Sequence, residues 1–328
     1  MEKFSPIKKE SGINRVVGFE SEKEADILEY FKERFETNSL EDIEKEKTPE
    51  ETILINRVHE DMAEFLQYYG VEAIDIPLNN IHILDKSKLT KEELKKIQER
   101  AETESGVYSS DKQAIGVMKD YEENKLSFLQ AVVHEELHLQ GFYSYQKSLH
   151  EGAGITLKKG DDLVDMNIRR SGFAIGTKDG NTQFFHNVNE AIIVELTIRF
   201  EEKYLTQYPE LEFEIEARDK YREHVVKDRG VSPEEAKEFV MNIKKDADSE
   251  YGWIGCSAYP EDRMQFNMLI DELYERNKTE FQSREDVFNL FARATLTGRI
   301  LPTARIIEKT FGKGTFRTIG EMTAKKSN

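Results

Sequence analysis

Two histidines and a glutamate lie within five consecutive residues near the middle of the chain. His134, Glu135 and His138 form the pattern H-E-x-x-H, which Glu136 and Leu137 complete. Residues four positions apart lie on one face of an α-helix, so the two imidazoles can reach the same metal ion. Glu135 then lies beside that ion. The pattern predicts a helix that carries two zinc ligands and a catalytic carboxylate.

The chemistry expected of this arrangement is hydrolysis. A zinc ion lowers the pKa of a bound water to about 7, which supplies a hydroxide near neutral pH. Glu135 would accept the proton of that water and later transfer it to the leaving amine. Such a pentapeptide also occurs by chance, and its polar side chains then face solvent or have partners in the core. The apolar residues from Leu126 to Leu137 favour a buried helix, in which those side chains need strong partners.

A catalytic zinc ion needs a third protein ligand. The residues after His138 resemble the metzincin continuation H-x-x-G-x-x-H, in which Gly141 fits but Ser144 stands at the ligand position. Serine is a poor zinc ligand, which excludes this arrangement. His150 and Glu151 fit no familiar arrangement, and a surface loop is expected for both. The remaining position lies further along the chain.

That position is in a helix-like segment that contains Asn189, Glu190 and Ala191. Together with H-E-x-x-H, the segment resembles the gluzincin metallopeptidases, the thermolysin-like clan, whose second helix bears Asn-Glu-Ala or Asn-Glu-Gly. The resemblance implies a peptidase with one zinc ion per chain and Glu190 as the third ligand. The segment is mostly apolar, and a glutamate buried there needs a strong partner such as a metal ion. Asn187 or Asn189 is expected to cap the helix.

The resemblance covers the two motifs only, and the chain departs from the family in two ways. The gap between His138 and Glu190 is longer than usual, with a hairpin over residues 162–187 inserted. Family members often have an acid four residues after the third ligand, whereas Val194 is at that position here and Glu195 follows it. Glu195 either supports a zinc histidine or is the ligand itself. The Asn-Glu-Ala context favours Glu190.

The resemblance also implies a surface for the substrate and a donor for the oxyanion. In the family, an extended peptide lies along the strand before the active helix, and Gln113 to Met118 occupies that place. Its backbone would bind a peptide as an added strand, with an ordinary edge strand as the equal alternative. Oxyanion donors are expected among one histidine and three tyrosines: His186, Tyr204, Tyr208 and Tyr259.

Hydrophobic spacing and capping signals predict the elements that position these groups. Helices are predicted over residues 21–37, 49–69, 91–102 and 126–142. Strands are predicted over residues 73–77, 81–84, 106–118, 162–175 and 182–186. From Asn187 onward the chain is expected to be almost wholly helical, with Trp253 and Cys256 in a loop. Helix starts are predicted at Ser232 and Ser283, and helix ends at Gly298 and Gly312.

These elements predict an α+β fold. The resemblance implies that it is zincin-like, with a small, partly antiparallel sheet beside the active-site helix and a mainly helical C-terminal half. Three segments are expected: an N-terminal helical segment (1–72), a catalytic core with both metal-binding motifs (73–205) and a helical C-terminal subdomain (206–328).

Composition limits the partners. The net charge of −17 argues against a nucleic-acid binder, because phosphate contacts need clustered Lys and Arg. The chain has no apolar run of the roughly 20 residues that span a bilayer, and its single cysteine, Cys256, cannot form an intrachain disulfide. We therefore expect a cytoplasmic protein that acts on a peptide or protein, away from membranes.

Two other functions are compatible with the same residues. One is a catalytically inactive relative whose zincin-like fold binds or regulates a partner. The other is a different metal enzyme, since two histidines and a carboxylate also suit non-haem iron. Glu135 has a clear purpose in hydrolysis and none in that alternative.

Overall fold

The computed structural model describes residues 11–35, 43–88, 106–119, 121–150, 154–159, 162–246, 248 and 252–326. The helix predicted over residues 91–102 and the rejected ligand Glu151 lie outside these ranges. The described residues form an α+β fold, as predicted, with ten α-helices and three mixed or antiparallel sheets.

The helices follow the predicted spacing closely. They are α1 Ser21–Phe35, α2 Pro49–Tyr68, α3 Lys125–Gln140, α4 His186–Lys203, α5 Glu212–Arg229, α6 Pro233–Phe239, α7 Pro260–Arg276, α8 Arg284–Thr297, α9 Leu301–Phe311 and α10 Thr315–Met322. The predicted starts are confirmed, because the side chains of Ser232 and Ser283 each accept a hydrogen bond from a backbone N–H of the first turn. Gly298 ends α8 with a φ of 73°, which a glycine adopts without strain.

The strands form three sheets. They are β1 Arg15–Val17, β2 Glu44–Lys45, β3 Ile81–Leu84, β4 Gly106–Ser109, β5 Ala114–Val117, β6 Tyr143–Lys147, β7 Ile155–Lys159, β8 Asp162–Ser171, β9 Ala174–Gly176, β10 Thr182–Phe184, β11 Asn242–Lys245, β12 Trp253–Cys256 and β13 Lys325–Lys326. One sheet has the order β2-β3-β5-β4, and a larger one has the order β1-β6-β8-β9-β10-β13, with β7 also paired to β8. The hairpin β11-β12 is the third sheet.

The strand predicted over residues 73–77 is absent from the structure. Ile74 lies there in an irregular segment, and its backbone bonds to a side chain instead of a strand. The Ile74 N–H donates to Gln140 Oε1 at 2.8 Å, and Gln140 Nε2 donates to the Ile74 carbonyl at 2.9 Å. One amide side chain thus satisfies the backbone groups that strand pairing would have used.

The second half is less helical than predicted. Trp253 and Cys256 lie in strand β12, which pairs with β11 in an antiparallel hairpin. Ile243 of β11 is buried in a small cluster with Val225 and Val240, so the hairpin has an apolar face that covers α5 and α6. This burial, which joins residues distant in sequence, explains why the local pattern indicated a loop.

One large apolar core joins all three predicted segments, from Phe35 and Leu54 through Leu129 to Phe291 and Ile307. Helix α3 lies at its centre. It packs against β4 and β5 on one side and against α2 and α4 on the other. The sheet and the helical layers therefore jointly fix the helix that bears the H-E-x-x-H motif.

Candidate metal centre

Helix α3 is held at both ends and is buried on almost every face. Its N-cap is Asn124, whose Oδ1 accepts from the Ser127 N–H at 2.7 Å. The Asn124 side chain also donates to the carbonyl of Ile243 at 2.7 Å. At the other end, Gln140 bonds to the backbone of residue 74, as described above. These contacts leave the helix little freedom to rotate or slide.

Three side chains from α3 and α4 converge on one point. His134 Nε2 and His138 Nε2 are 3.2 Å apart, and Glu190 Oε2 lies 3.4 Å from His138 Nε2 and 3.8 Å from His134 Nε2. Atoms about 2.0–2.1 Å from a tetrahedral ion lie roughly 3.3 Å from one another. The three residues could therefore hold a metal ion, and they are the ligands expected from the sequence.

Glu190 is buried, with 7% of its surface exposed. Burial alone would raise the pKa of its carboxyl, but the charges and hydrogen bonds of His138 and His134 outweigh burial and hold that pKa well below its usual range. The carboxylate is thus ionised, which is the form that binds a cation.

The start of α4 differs from the prediction, because neither asparagine caps the helix. The N-cap is Phe185, in the left-handed conformation with a φ of 59°. Asn189 instead accepts a hydrogen bond from the Phe173 N–H at 2.8 Å, and Asn187 donates to Asp262 Oδ1 at 2.8 Å. These two bonds tie the turn before Glu190 to strands β8 and β9 and to helix α7.

The alternative ligand, Glu195, is directed to two arginines and is not part of the metal-binding group. Its Oε2 lies 3.4 Å from Arg263 Nη2, and its Oε1 lies 3.6 Å from Arg199 Nε. Glu195 follows Glu190 by five positions on α4, so the two side chains point in clearly different directions from the helix axis. The structure thus favours Glu190 and gives Glu195 a role in holding α7 against α4.

The strand beside the motif is β4. Residues 113–118 were expected to form an edge strand of the sheet, and this expectation was wrong. Strand β5 pairs with β3 in parallel and with β4 antiparallel, so its backbone bonds are already made. Among the described residues, β4 is one of the two edge strands of this sheet, and β2 is the other. Gly106 of β4 lies against Glu135, and Glu135 itself is 5% exposed.

A cavity of about 190 Å³ opens onto the three ligands and Glu135. Its other lining residues come from five strands (β4, β6, β8, β10 and β13) and from the first residue of α4: Val107, Tyr108, Tyr143, Ile168, Ser171, Gln183, Lys325 and His186. A second, smaller cavity of about 60 Å³ also reaches His134 and Glu135 and is lined by Tyr259. The motif therefore has open space on two sides.

Two of the four expected oxyanion donors lie at the centre. His186 lines the larger cavity and Tyr259 the smaller one. Burial lowers the pKa of His186, and the nearby charge of Glu190 offsets this only in part. The other two lie elsewhere: the Tyr208 hydroxyl donates to Asp61 Oδ2 at 2.7 Å, and Tyr204 packs against aromatic rings of the core.

His59 and His82 each have a carboxylate partner outside the three-ligand group. His59 Nδ1 lies 2.8 Å from an oxygen of the fully buried Glu136, and His82 Nδ1 lies 2.9 Å from Glu44 Oε2. His150, rejected as a ligand, is exposed. Gly106, Gln183 and Lys325 were not predicted as site residues, because no local motif marks residues that approach the centre only through sheet pairing.

None of the helices in the described ranges is long and apolar enough to cross a membrane. No model of a known protein family matches the chain, and no curated protein or solved structure matches it. The gluzincin resemblance therefore depends on the two motifs alone, and membership of that family stays a prediction.

Proposed function

We propose that this chain is a zinc-dependent peptidase that uses Glu135 as its general base. The observation that carries the proposal is the position of Glu135 on the wall of the cavity onto which His134, His138 and Glu190 open. A bound zinc ion would supply a hydroxide from water at neutral pH. Two imidazole nitrogens and one carboxylate oxygen suit zinc, and they leave a fourth position for that water.

The buried carboxylate of Glu135 is placed for proton transfer. It lies one residue from His134 on α3, and the cavity gives it access to water and to a substrate. It would accept a proton as the nucleophile forms and return it to the departing amine. His186, which lines the larger cavity, and Tyr259, which lines the smaller one, are the two groups that could donate a hydrogen bond to the oxyanion.

Strand β4 is the surface along which a peptide would lie. Two of its residues, Val107 and Tyr108, line the metal cavity. In the described part of the chain its outer edge has no strand partner, so its backbone groups can pair with an extended peptide. Strand β4 thus replaces β5 as the proposed docking strand, and the peptide would still bind as an added strand.

The proposal is tested with purified protein loaded with zinc and a mixture of unstructured peptides, analysed by mass spectrometry. Wild type should cleave some of them, a chelator should stop cleavage, and zinc should restore it. Glu135→Gln should keep the metal but lose activity by about 10²–10⁴-fold, the usual contribution of a general base. Cleavage that survives in Glu135→Gln would exclude this mechanism. Bound zinc without any cleavage would favour the inactive relative, and a preference for iron would favour the other metal enzyme.

A further inference from the structure

The C-terminal segment is joined to the helix that supplies Glu190. The Phe185 N–H donates to the carbonyl of Gly320 at 3.2 Å, and the Asn187 N–H donates to that of Thr323 at 3.2 Å. The ring of Phe316 lies 4.5 Å from that of Phe185. Helix α10 and the residues after it are thus fixed on the first turn of α4, next to the metal centre.

The strand that follows, β13, brings an exposed lysine to the wall of the cavity. It pairs antiparallel with β10, with Lys325 opposite Gln183 and Lys326 opposite Thr182. Residues opposite each other in such a pair have side chains on the same face, and neighbours along a strand point to opposite faces. Gln183 and Lys325 both line the metal cavity, whereas Thr182 and Lys326 do not. The sheet register therefore explains why Lys325, and not Lys326, lines the metal cavity.

Lys325 brings a positive charge to a cavity that otherwise carries carboxylates. The other charged lining residues are Glu135 and Glu190, for which the proposed function already provides roles. Among the described residues, Lys325 is the one lysine or arginine of the lining, and no carboxylate there is within ion-pair distance of its ammonium group. The charge is thus available to a ligand.

The positive charge of Lys325 contrasts with the negative net charge of the whole chain, and this contrast affects which peptides can bind. With a net charge of −17, the chain as a whole repels anionic peptides. Lys325 is exposed at the cavity, and its charge reverses that effect locally, because an ammonium group donates charge-assisted hydrogen bonds to a carboxylate. The apolar lining residues Val107, Tyr108 and Ile168 would contact the neighbouring part of the peptide.

We propose that Lys325 makes this cavity a subsite for a substrate carboxylate, so that the protein prefers peptides with a carboxylate close to the cleaved bond. The inference deepens the proposed peptidase function and rests on it for the identity of the ligand as a substrate. The carboxylate comes either from an aspartate or glutamate side chain or from the C-terminus of the peptide.

Binding and cleavage are measured separately. Three five-residue peptides of the same length are used: one neutral with both ends blocked, one blocked with a central glutamate, and one with a free C-terminal carboxylate. Their affinities for the full-length, zinc-loaded protein are measured by NMR titration. The proteins are wild type, Lys325→Ala, Lys325→Arg and the matched control Lys326→Ala, which removes the same charge from the opposite face of the strand.

We expect wild type to bind at least one carboxylate peptide more tightly than the neutral one, by roughly 2- to 5-fold, as for an ion pair that is exposed to water. Lys325→Ala should lose this preference, while Lys325→Arg and Lys326→Ala keep it. The peptide that is preferred identifies the source of the carboxylate.

No preference in wild type, a preference that persists in Lys325→Ala, or equal losses in Lys325→Ala and Lys326→Ala would each overturn the inference. A preference that depends on Lys325 in a protein that cleaves no peptide would instead contradict the peptidase function and leave the carboxylate site standing. Cleavage of peptides without any preference for a carboxylate would contradict the carboxylate site and leave the peptidase function standing.

Discussion

Gly106 and Glu135 fit together with no space for a side chain at residue 106. A Cβ atom added to Gly106 would lie 2.7 Å from Glu135 Cγ and 3.1 Å from its Oε1. It would also lie 3.0 Å from the backbone oxygen of Gly116 on the neighbouring strand. Strand β4 thus approaches Glu135 with a residue that has no side chain.

The variant Gly106→Ala should therefore lower activity without removing the metal. The new methyl group must displace either Glu135 or β4, and a general base about 1 Å out of place costs about 10²-fold in rate. Peptide cleavage and zinc content would be measured on the same preparation. Gly230→Ala serves as a control, since an added Cβ there meets nothing within 4 Å and only its φ of 66° is unfavourable. Equal activity in both variants would contradict the proposed fit.

His59 should stabilise the fold, because it is the partner of the fully buried Glu136. Removing one member of a buried pair leaves the other charge uncompensated, which costs about 3–5 kcal/mol. We expect His59→Ala to lower the free energy of unfolding by about that amount, measured by urea denaturation. His224→Ala, which removes a half-buried histidine beside Tyr221, should have a much smaller effect. A small change in both variants would show that Glu136 does not depend on His59.

The same pair predicts a pH dependence of stability. Burial tends to lower the pKa of His59, but the hydrogen bond and charge of Glu136 outweigh it and raise that pKa above 6.5. The folded protein then binds the proton more tightly than the unfolded chain, so the stabilisation is complete below the unfolded pKa and is lost as the pH rises through the folded value. The difference in unfolding free energy between wild type and His59→Gln should be larger at about pH 5.5 than at about pH 9. The opposite trend would exclude this assignment.

The oxyanion donor can be identified by comparing three variants. His186→Ala or Tyr259→Phe should lower kcat by about 10²–10³-fold, the usual effect of losing one donor, with little change in zinc content. Tyr208→Phe is the matched control, because its hydroxyl bonds to Asp61 away from the cavities. If Tyr208→Phe lowers kcat as much as the other two, the loss reflects stability and neither residue is the donor.

Gly320→Ala should weaken the first turn of α4. An added Cβ would lie 2.6 Å from Phe185 Cε2, and crowding of this kind typically costs about 1–3 kcal/mol. We expect a lower melting temperature and a weaker affinity for zinc, measured by calorimetry and by competition with a chelator. Gly314→Ala is the control for backbone strain without crowding, since its φ is 94° and an added Cβ there meets nothing within 4 Å. Unchanged zinc affinity in Gly320→Ala would show that α10 does not support the centre.

The sequence was most informative where all the residues of a motif lie on one helix. The spacing of His134 and His138 requires only helical geometry, and an apolar helix around Glu190 indicated a buried carboxylate with a strong partner. Both predictions needed no knowledge of how distant segments pack.

Predictions that depended on sheet order or on helix rotation were less successful. The place of β5 inside the sheet is decided by its pairing with β3, which no local pattern of residues 113–118 records. Likewise, Tyr208 lies near the end of the helix that carries Glu190, yet its hydroxyl reaches Asp61 on α2. Lys325 lines the cavity only through its register with Gln183.

The central claim is that Glu190, together with His134 and His138, binds one zinc ion. The most direct measurement is the zinc content of purified wild type, Glu190→Gln and Glu195→Gln after reconstitution, with circular dichroism to verify folding. The account predicts about one zinc per chain in wild type and in Glu195→Gln, and a large loss in folded Glu190→Gln, as expected when one of three protein ligands is removed. Zinc lost only in Glu195→Gln, or no zinc bound by folded wild type, would contradict it.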